Sequence, residues 1–476
     1  MLRFVDRFTS ACLLSLISVS ASAYAPLNEL PLGSRAAIKV ETLQSQNKIQ
    51  QTDNQNQFFP PASTLKIVTA LAAKLELGDE FQFATSIEKT GSDVVLRFSG
   101  DPTLTTQDIK QLLSQLRNSG TKKISGDLWL DNSAFTGYDR AVGWPWDILG
   151  VCYSAPASAI SLDGNCVQAS IYTQEDGKTR VYVPEHQPIY VTTVASSVSK
   201  IEQESSQCDL ELLSSPDNHY QLQGCLQNRS KPLPLKFAVQ DPALYAQRIV
   251  NTLLAQLNIE LVGSIRLGAP EQQGKVIATH NSQALPQLLE TMLKKSDNLI
   301  ADNLTKTLGA KFFIQPGSFA NGTKAIKQIL FTQTGIDIEH TPLADGSGLS
   351  RNNRFTSQNM AAVLRYIWQH DSELGLIALM PTSGTNGTLK YRRSMRKAPI
   401  KGELIAKSGS VYGSYNMAGY GLDKSGQPST LFVQFVTDYH PPKTKGDDKP
   451  TIAPITKFET LFYKDIVQFS QAIPKK

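Results

Sequence analysis

Residues 60–77 read Pro60-Pro61-Ala62-Ser63-Thr64-Leu65-Lys66 and then IVTALAAKLEL. The stretch from Leu65 to Leu77 is apolar nearly all round, which predicts a helix sunk in a core. The paired prolines fix where that helix starts. Positions three apart share a helical face, so Lys66 reaches the Ser63 hydroxyl. Burial disfavours an ammonium and drives Lys66 toward its neutral, basic form. The helix N-terminus stabilises negative charge near Ser63. A nucleophile and its base are therefore placed together.

Ser-x-x-Lys alone carries little weight. It recurs at Ser45/Lys48, Ser86/Lys89, Ser119/Lys122, Ser197/Lys200 and Ser394/Lys397, all in polar stretches where a solvated lysine is expected. Two further segments supply what a nucleophilic serine lacks. Ser296-Asp297-Asn298 falls between two helical patterns: Ser296 offers a proton relay and Asn298 an amide for the substrate carbonyl. Ser350-Arg351-Asn352 and Ser357-Gln358-Asn359 have the same form, and a serine there caps a helix as readily. Lys407-Ser408-Gly409 sits in the apolar strand ELIAKSGSV, where lysine and hydroxyl bind a terminal carboxylate and the glycine admits substrate backbone. Its rivals, Lys89-Thr90-Gly91 and Lys424-Ser425-Gly426, fall at hairpin turns that call for Gly and a polar residue anyway.

Composition excludes other chemistries. The 476 residues suggest about three domains, and 41% hydrophobic and 8% aromatic residues are enough for sizeable cores. Net charge is +5, too mild for a nucleic-acid partner. Six scattered histidines without HExxH, and no GxSxG, argue against a zinc hydrolase and an α/β-hydrolase.

Ser63/Lys66, Ser296/Asn298 and Lys407/Ser408/Gly409, in that order, are the trio of the penicillin-recognising serine hydrolases. The chain resembles that group, and within it the low-molecular-mass D-alanyl-D-alanine carboxypeptidase/endopeptidase family often called penicillin-binding protein 4 or DacB. Ser63 and Ser296 stand 233 residues apart, room for the two extra domains that this family inserts there. Similar phrases run through the mature chain: Ser99-Gly100-Asp101-Pro102, Tyr153-Ser154-Ala155-Pro156 leading to Asp163, Asp345-Gly346-Ser347-Gly348-Leu349-Ser350-Arg351, and Gly387-Thr388-Leu389. Ser408 departs from the commoner threonine but keeps the hydroxyl.

The resemblance implies a multidomain α+β fold, an α/β transpeptidase-like core whose antiparallel sheet is flanked by helices, with two nested inserted domains, the inner one mainly β. The implied boundaries are 24–82 with 270–476 for the catalytic domain, 83–165 with 236–269 for the outer insertion and 166–235 for the inner. It implies an acyl-enzyme on Ser63, with Lys66 as base and the N–H groups of Ser63 and Ser410 as the oxyanion hole. Ser296 relays a proton to the leaving amine, Asn298 positions substrate, and Lys407 and Ser408 hold the terminal carboxylate, the Lys407 charge lowering the pKa of Lys66. Asp163 and Arg351 meet the zwitterionic end of a diaminopimelate side chain. Substrates are peptidoglycan stem peptides and crosslinks, β-lactams are inhibitors, and no metal or cofactor is implied. The competing readings are a β-lactamase or esterase on the same fold and a non-catalytic cell-wall peptide-binding protein.

Residues 1–23 have Arg3 and Arg7, an apolar run from Phe8 to Val19, and Ala21-Ser22-Ala23, the pattern of a cleaved export signal. The run is shorter than the ~20 residues of a spanning helix, so a periplasmic protein, at most loosely membrane-associated, is expected. Four cysteines then remain. An oxidising compartment favours disulfides, and loop-closure entropy favours Cys152–Cys166 with Cys208–Cys225.

Elsewhere the periodicities predict a hairpin near 84–100, helices at 106–120, 242–257 and from Leu285, a polar β-rich stretch from Cys166 to Pro234, and a strand meander from 402 to 438. Ile455, Phe458, Phe462, Ile466 and Phe469 form a core-packing helical stripe. Lys390, Arg392, Arg393, Arg396 and Lys397 read as a solvated charged loop, and 443–450 as another.

Overall fold

Five strands form one antiparallel sheet in the order Leu404–Val411, Ser414–Leu422, Pro428–Thr437, Arg35–Thr42 and Lys48–Gln51. The computed structural model describes residues 24–44, 48–51, 54–441 and 452–472, so the export segment and the charged stretch 443–450 lie outside the described residues. Side chains alternate between the two faces of a strand, and here both faces are covered. Ala418, Tyr420, Leu431, Val433 and Phe435 face a core shared with the helices Leu65–Leu77 and Ser357–Gln369. Met417, Phe432 and Val436 face the C-terminal helix Pro454–Ala472 through Ile455, Phe458, Phe462 and Ile466, four members of the expected stripe.

The meander supplies three of these strands. Arg35–Thr42 has no counterpart in the sequence analysis, because Lys39 and Glu41 interrupt its apolar run. Both are buried as an ion pair at 2.8 Å.

The insertion carries a second five-stranded sheet in the order Ile265–Leu267, Leu128–Asp131, Asp93–Arg97, Ala84–Thr90 and Lys275–Asn281. Helices Thr106–Asn118 and Pro242–Gln256 bury Ile109, Leu112, Leu116, Ile249 and Leu253 in its core. Lys275–Asn281 pairs antiparallel with Ala84–Thr90. It forms one edge of this sheet, and its mostly exposed, polar composition hid it from the sequence periodicity.

The inner region forms a three-stranded and a four-stranded sheet, and Ile171, Tyr220 and Leu222 join the same core as the outer insertion. A short helix, Lys200–Ser206, interrupts the strands, held by a capping box between Ser199 and Glu202. The disulfides are Cys152–Cys166 and Cys208–Cys225, the pairing that loop closure favours. Among the described residues no helix is long and apolar enough to cross a membrane.

The basic cluster at 390–397 is not uniformly solvated. Arg392 forms a two-pronged ion pair with Glu459 of the C-terminal helix, its Nε donating at 3.1 Å, and Ser394 donates to the same carboxylate at 2.7 Å. Lys390, Arg393, Arg396 and Lys397 remain exposed. Removing one partner of a buried pair strands the other. Glu459→Ala is therefore expected to cost about 3–5 kcal/mol, read as a lower midpoint in denaturant unfolding, whereas Arg393→Ala should leave the midpoint unchanged.

Candidate active site

Ser63 lies in a single 3-10 turn, Ala62–Thr64, from which the helix Leu65–Leu77 continues. The helix is buried from Leu65 to Ala73, so Lys66 is 0% exposed although it is only the second residue of the helix. Its Nζ lies 3.1 Å from Ser63 Oγ, 2.6 Å from Asn298 Oδ1 and 2.7 Å from the carbonyl of Ser347. A neutral amine has two N–H bonds and one lone pair. Asn298 and Ser347 take the N–H bonds, and the lone pair is left facing the Ser63 hydroxyl.

Ser296 occupies a left-handed turn, φ 61°, between helices Leu285–Lys295 and Asn298–Phe313. Asp297, not Ser296, caps the second helix, accepting from the Ile300 N–H at 3.0 Å. The Ser296 hydroxyl is thereby released from capping and accepts from Lys407 Nζ at 2.9 Å. Asn298 donates its Nδ2 to the Tyr153 carbonyl at 2.7 Å, so the insertion grips the catalytic helix at its first residue.

Lys407 is also 0% exposed and donates to the Ser408 carbonyl at 2.7 Å. Ser408 Oγ lies 2.9 Å from Thr388 Oγ1. Gly409 packs closely against the Ser63 turn. A β-carbon there would stand 2.8 Å from Pro61 O and Thr64 N and 2.9 Å from Ser63 N. Its lack of a side chain makes room for the turn that presents Ser63. Ser410, next along the strand, is exposed beside that turn.

Burial lowers the pKa of Lys66 to about 8, against the pull of Asp302, Asp345 and Asp297. Lys407 is held well below the usual lysine range by burial first, then by the charges of Lys66 and Arg392. The sequence analysis has Lys407 pressing on Lys66. The repulsion resolved is that of Lys66 on Lys407, whereas burial is what lowers the pKa of Lys66.

Several contributors escaped the sequence analysis. Asp302 stands one helical turn beyond Asn298, fully buried, and accepts the N–H groups of Gly346 and Ser347 at 3.0 and 2.9 Å. It thus orients the peptide whose carbonyl meets Lys66. Burial and then Asp345 raise its pKa well above the carboxylate range. Asp345 accepts from Gly348, Ser350, Asn353 and Trp144, pinning the loop. The i, i+4 spacing from Asn298 was the available signal for Asp302. Thr388 and the Tyr153 carbonyl left no signal beyond the phrases quoted above.

The two candidate side-chain readers fare differently. Arg351 stacks on the Tyr412 ring at 5.4 Å, beside the end of the strand Leu404–Val411. Asp163 is already engaged: its carboxylate accepts from Thr106 N at 2.9 Å and Thr106 Oγ1 at 2.6 Å, at the start of helix Thr106–Asn118. The Thr105/Asp108 capping box leaves the Thr106 N–H free, and Asp163 takes it, its negative charge suited to the helix N-terminus. The acid felt by the half-exposed Tyr153 phenol is Asp147, which together with burial raises its pKa. The decoys Lys89-Thr90-Gly91 and Lys424-Ser425-Gly426 sit at hairpin turns, with Gly91 and Gly426 at φ 58° and 78°.

The model of the D-Ala-D-Ala carboxypeptidase 3 (S13) family matches residues 21–459. The D-alanyl-D-alanine carboxypeptidase DacB of Haemophilus influenzae is 38% identical over 474 residues, 95% of this chain and 96% of that one. The crystal structure of penicillin binding protein 4 (dacB) from Haemophilus influenzae superposes with a TM-score of 0.85 at 36% identity, covering 93% of this chain and 98% of the other. The same protein complexed with a β-lactam superposes at 0.80 and 35% identity, with the same coverage.

The close approach at Gly409 is testable. Gly409→Ala forces its methyl against the backbone that presents Ser63, so labelling of the protein by a fluorescent penicillin should slow at least about 100-fold, a barrier increase of about 2.7 kcal/mol. Lys424→Ala, at an exposed hairpin turn outside the site, serves as the control that keeps its labelling rate.

Proposed function

The chain belongs to the D-Ala-D-Ala carboxypeptidase 3 (S13) family, and from that premise we propose how this serine carboxypeptidase works and on what. Lys66 removes the Ser63 proton, and Oγ attacks the carbonyl of a D-alanyl peptide bond. The N–H groups of Ser63 and Ser410 receive the oxyanion. Ser296, hydrogen-bonded to Lys407, passes a proton to the leaving amine as the C–N bond breaks. Lys407 and Ser408 hold the terminal carboxylate, with Thr388 orienting the Ser408 hydroxyl, and Asn298 positions the acyl chain. Water then attacks the ester and frees Ser63.

The observation that carries this reading is the Lys66 amine, stripped of water and aimed at Ser63 Oγ from 3.1 Å. With its pKa near 8, about one molecule in ten carries the free amine at pH 7. At the unperturbed value of a lysine the fraction is about three in ten thousand. Burial therefore raises the population of active base several-hundred-fold.

Substrates are the stem peptides of peptidoglycan and their crosslinks, so the enzyme acts as carboxypeptidase and endopeptidase. A β-lactam acylates Ser63, a reading supported by the relative that was solved with one. Arg351 at the rim meets a carboxylate of the stem peptide's side chain. Asp163 is committed to its helix and is left out of that role. Residues 1–23 direct export to the periplasm, and the two disulfides support an oxidising compartment.

Two measurements test the mechanism. Ser63→Ala should abolish covalent labelling by fluorescent penicillin, and a variant that still labels like wild type refutes Ser63 as nucleophile. The acylation rate should depend on pH through Lys66. Lowering pH protonates the amine and removes the base, so the rate should fall about tenfold per unit well below pH 8 and level off above it. A flat profile from pH 5.5 to 9 would sink Lys66 as base.

A further inference from the structure

A cleft of about 770 Å³ opens beside the catalytic residues. Ser296 and Asn298 line one side, and Leu212 and Lys236, from the inner insertion, line another. Beyond Val151 and the strand around Leu212, a second recess of about 840 Å³ continues along the inner insertion. Small-molecule sites occupy about 300–1,000 Å³, so either recess alone has room for more than the two terminal residues of a stem peptide.

The charge of the cleft is specific. Lys236 and Lys295 line it, both are exposed, and neither forms an ion pair among the described residues. Two acids line the same cleft, but Glu211 accepts from Gln223 at 2.8 Å and Asp297 caps the Ile300 N–H at 3.0 Å, which leaves the two lysines as the groups open to a ligand's carboxylates. The wall is also fixed in place. Lys236 lies on strand Leu233–Ala238, opposite Gln168 of Cys166–Thr173, and the Cys152–Cys166 disulfide lines the cleft. Tyr153, next to that disulfide, holds Asn298 through its carbonyl. A ligand seated on Lys236 is therefore held in register with Ser296.

In hydrolysis of a crosslink the amine that Ser296 protonates belongs to a second stem peptide instead of free D-alanine. The rest of that peptide, with its carboxylates, leaves the reacting bond on the Ser296 side, where the cleft begins. We propose that the cleft is the subsite for this second stem, with Lys236 and Lys295 receiving its carboxylates, so that the inner insertion selects crosslinked over single-stem substrates. The inference rests on the hydrolase reading given above.

The test compares a synthetic crosslinked tetrapeptide dimer with a pentapeptide monomer. Lys236→Glu should lower kcat/KM for the dimer at least tenfold, and Lys236→Ala should lower it less. Fluorescent-penicillin labelling and D-alanine release from the monomer should stay within twofold of wild type in both variants. A dimer amidated only at the second stem's carboxylates remote from the scissile bond should be cleaved by wild type as slowly as the unmodified dimer is by Lys236→Glu. Unchanged dimer cleavage in both variants, or an equal fall for dimer and monomer, overturns the subsite. Failure of wild type to label with penicillin would instead strike the hydrolase reading itself.

Discussion

A lysine amine kept from water at the first turn of a helix is the constraint on which the rest of the molecule depends. Helix starts are usually wet, and an ammonium there is ordinarily solvated. Here every neighbour of Lys66 is another part of the protein. Leu65–Leu77 is apolar on all sides because helices and sheet enclose it. The amine's hydrogen bonds go to Asn298 and Ser347, from segments more than two hundred residues away in the chain. Burial of this kind is costly unless the polar atoms are satisfied. Each atom that satisfies Lys66 is itself held: Asn298 by the Tyr153 carbonyl, and Ser347 by Asp302.

The helix Asn298–Phe313 acts as the spine of this arrangement. Asn298 and Asp302, one turn apart, address the lysine and the loop that covers it. Asn303 donates to the Gly100 carbonyl at 2.7 Å, and Lys306, fully buried, donates to the carbonyls of Tyr138 and Ala157 at 2.9 and 2.7 Å. One helix thus anchors both the catalytic amine and the insertion. Buried polar groups fix geometry more strictly than apolar packing, because a slip leaves them unpaired. This is how a long insertion remains in register with a site that needs tenths of an ångström.

Much of the fold was legible because its segments are locally self-consistent. The all-round apolarity of Leu65–Leu77, the capped amphipathic pattern of Thr106–Asn118 and the alternating meander from 402 to 438 each specify their own element. Arg35–Thr42 and Lys275–Asn281 were hidden because their residues are charged or polar, and sheet neighbours complete them. Arg392 was misread for the same reason: its partner, Glu459, is 67 residues away.

The amino-acid order alone pointed to the trio Ser63/Lys66, Ser296/Asn298 and Lys407/Ser408/Gly409 and to the class of chemistry, since these rest on short spacings along the chain, and it favoured one disulfide pairing without deciding it. Tertiary structure alone decided which groups tune that chemistry. Asp302 became the support beneath Ser347, Asp163 went to a helix end, and Gly409 proved to make room for the nucleophile's own turn. Those roles come from desolvation and from contacts between remote segments. Neither is written in any local stretch, because the dielectric around a group is set by everything folded over it.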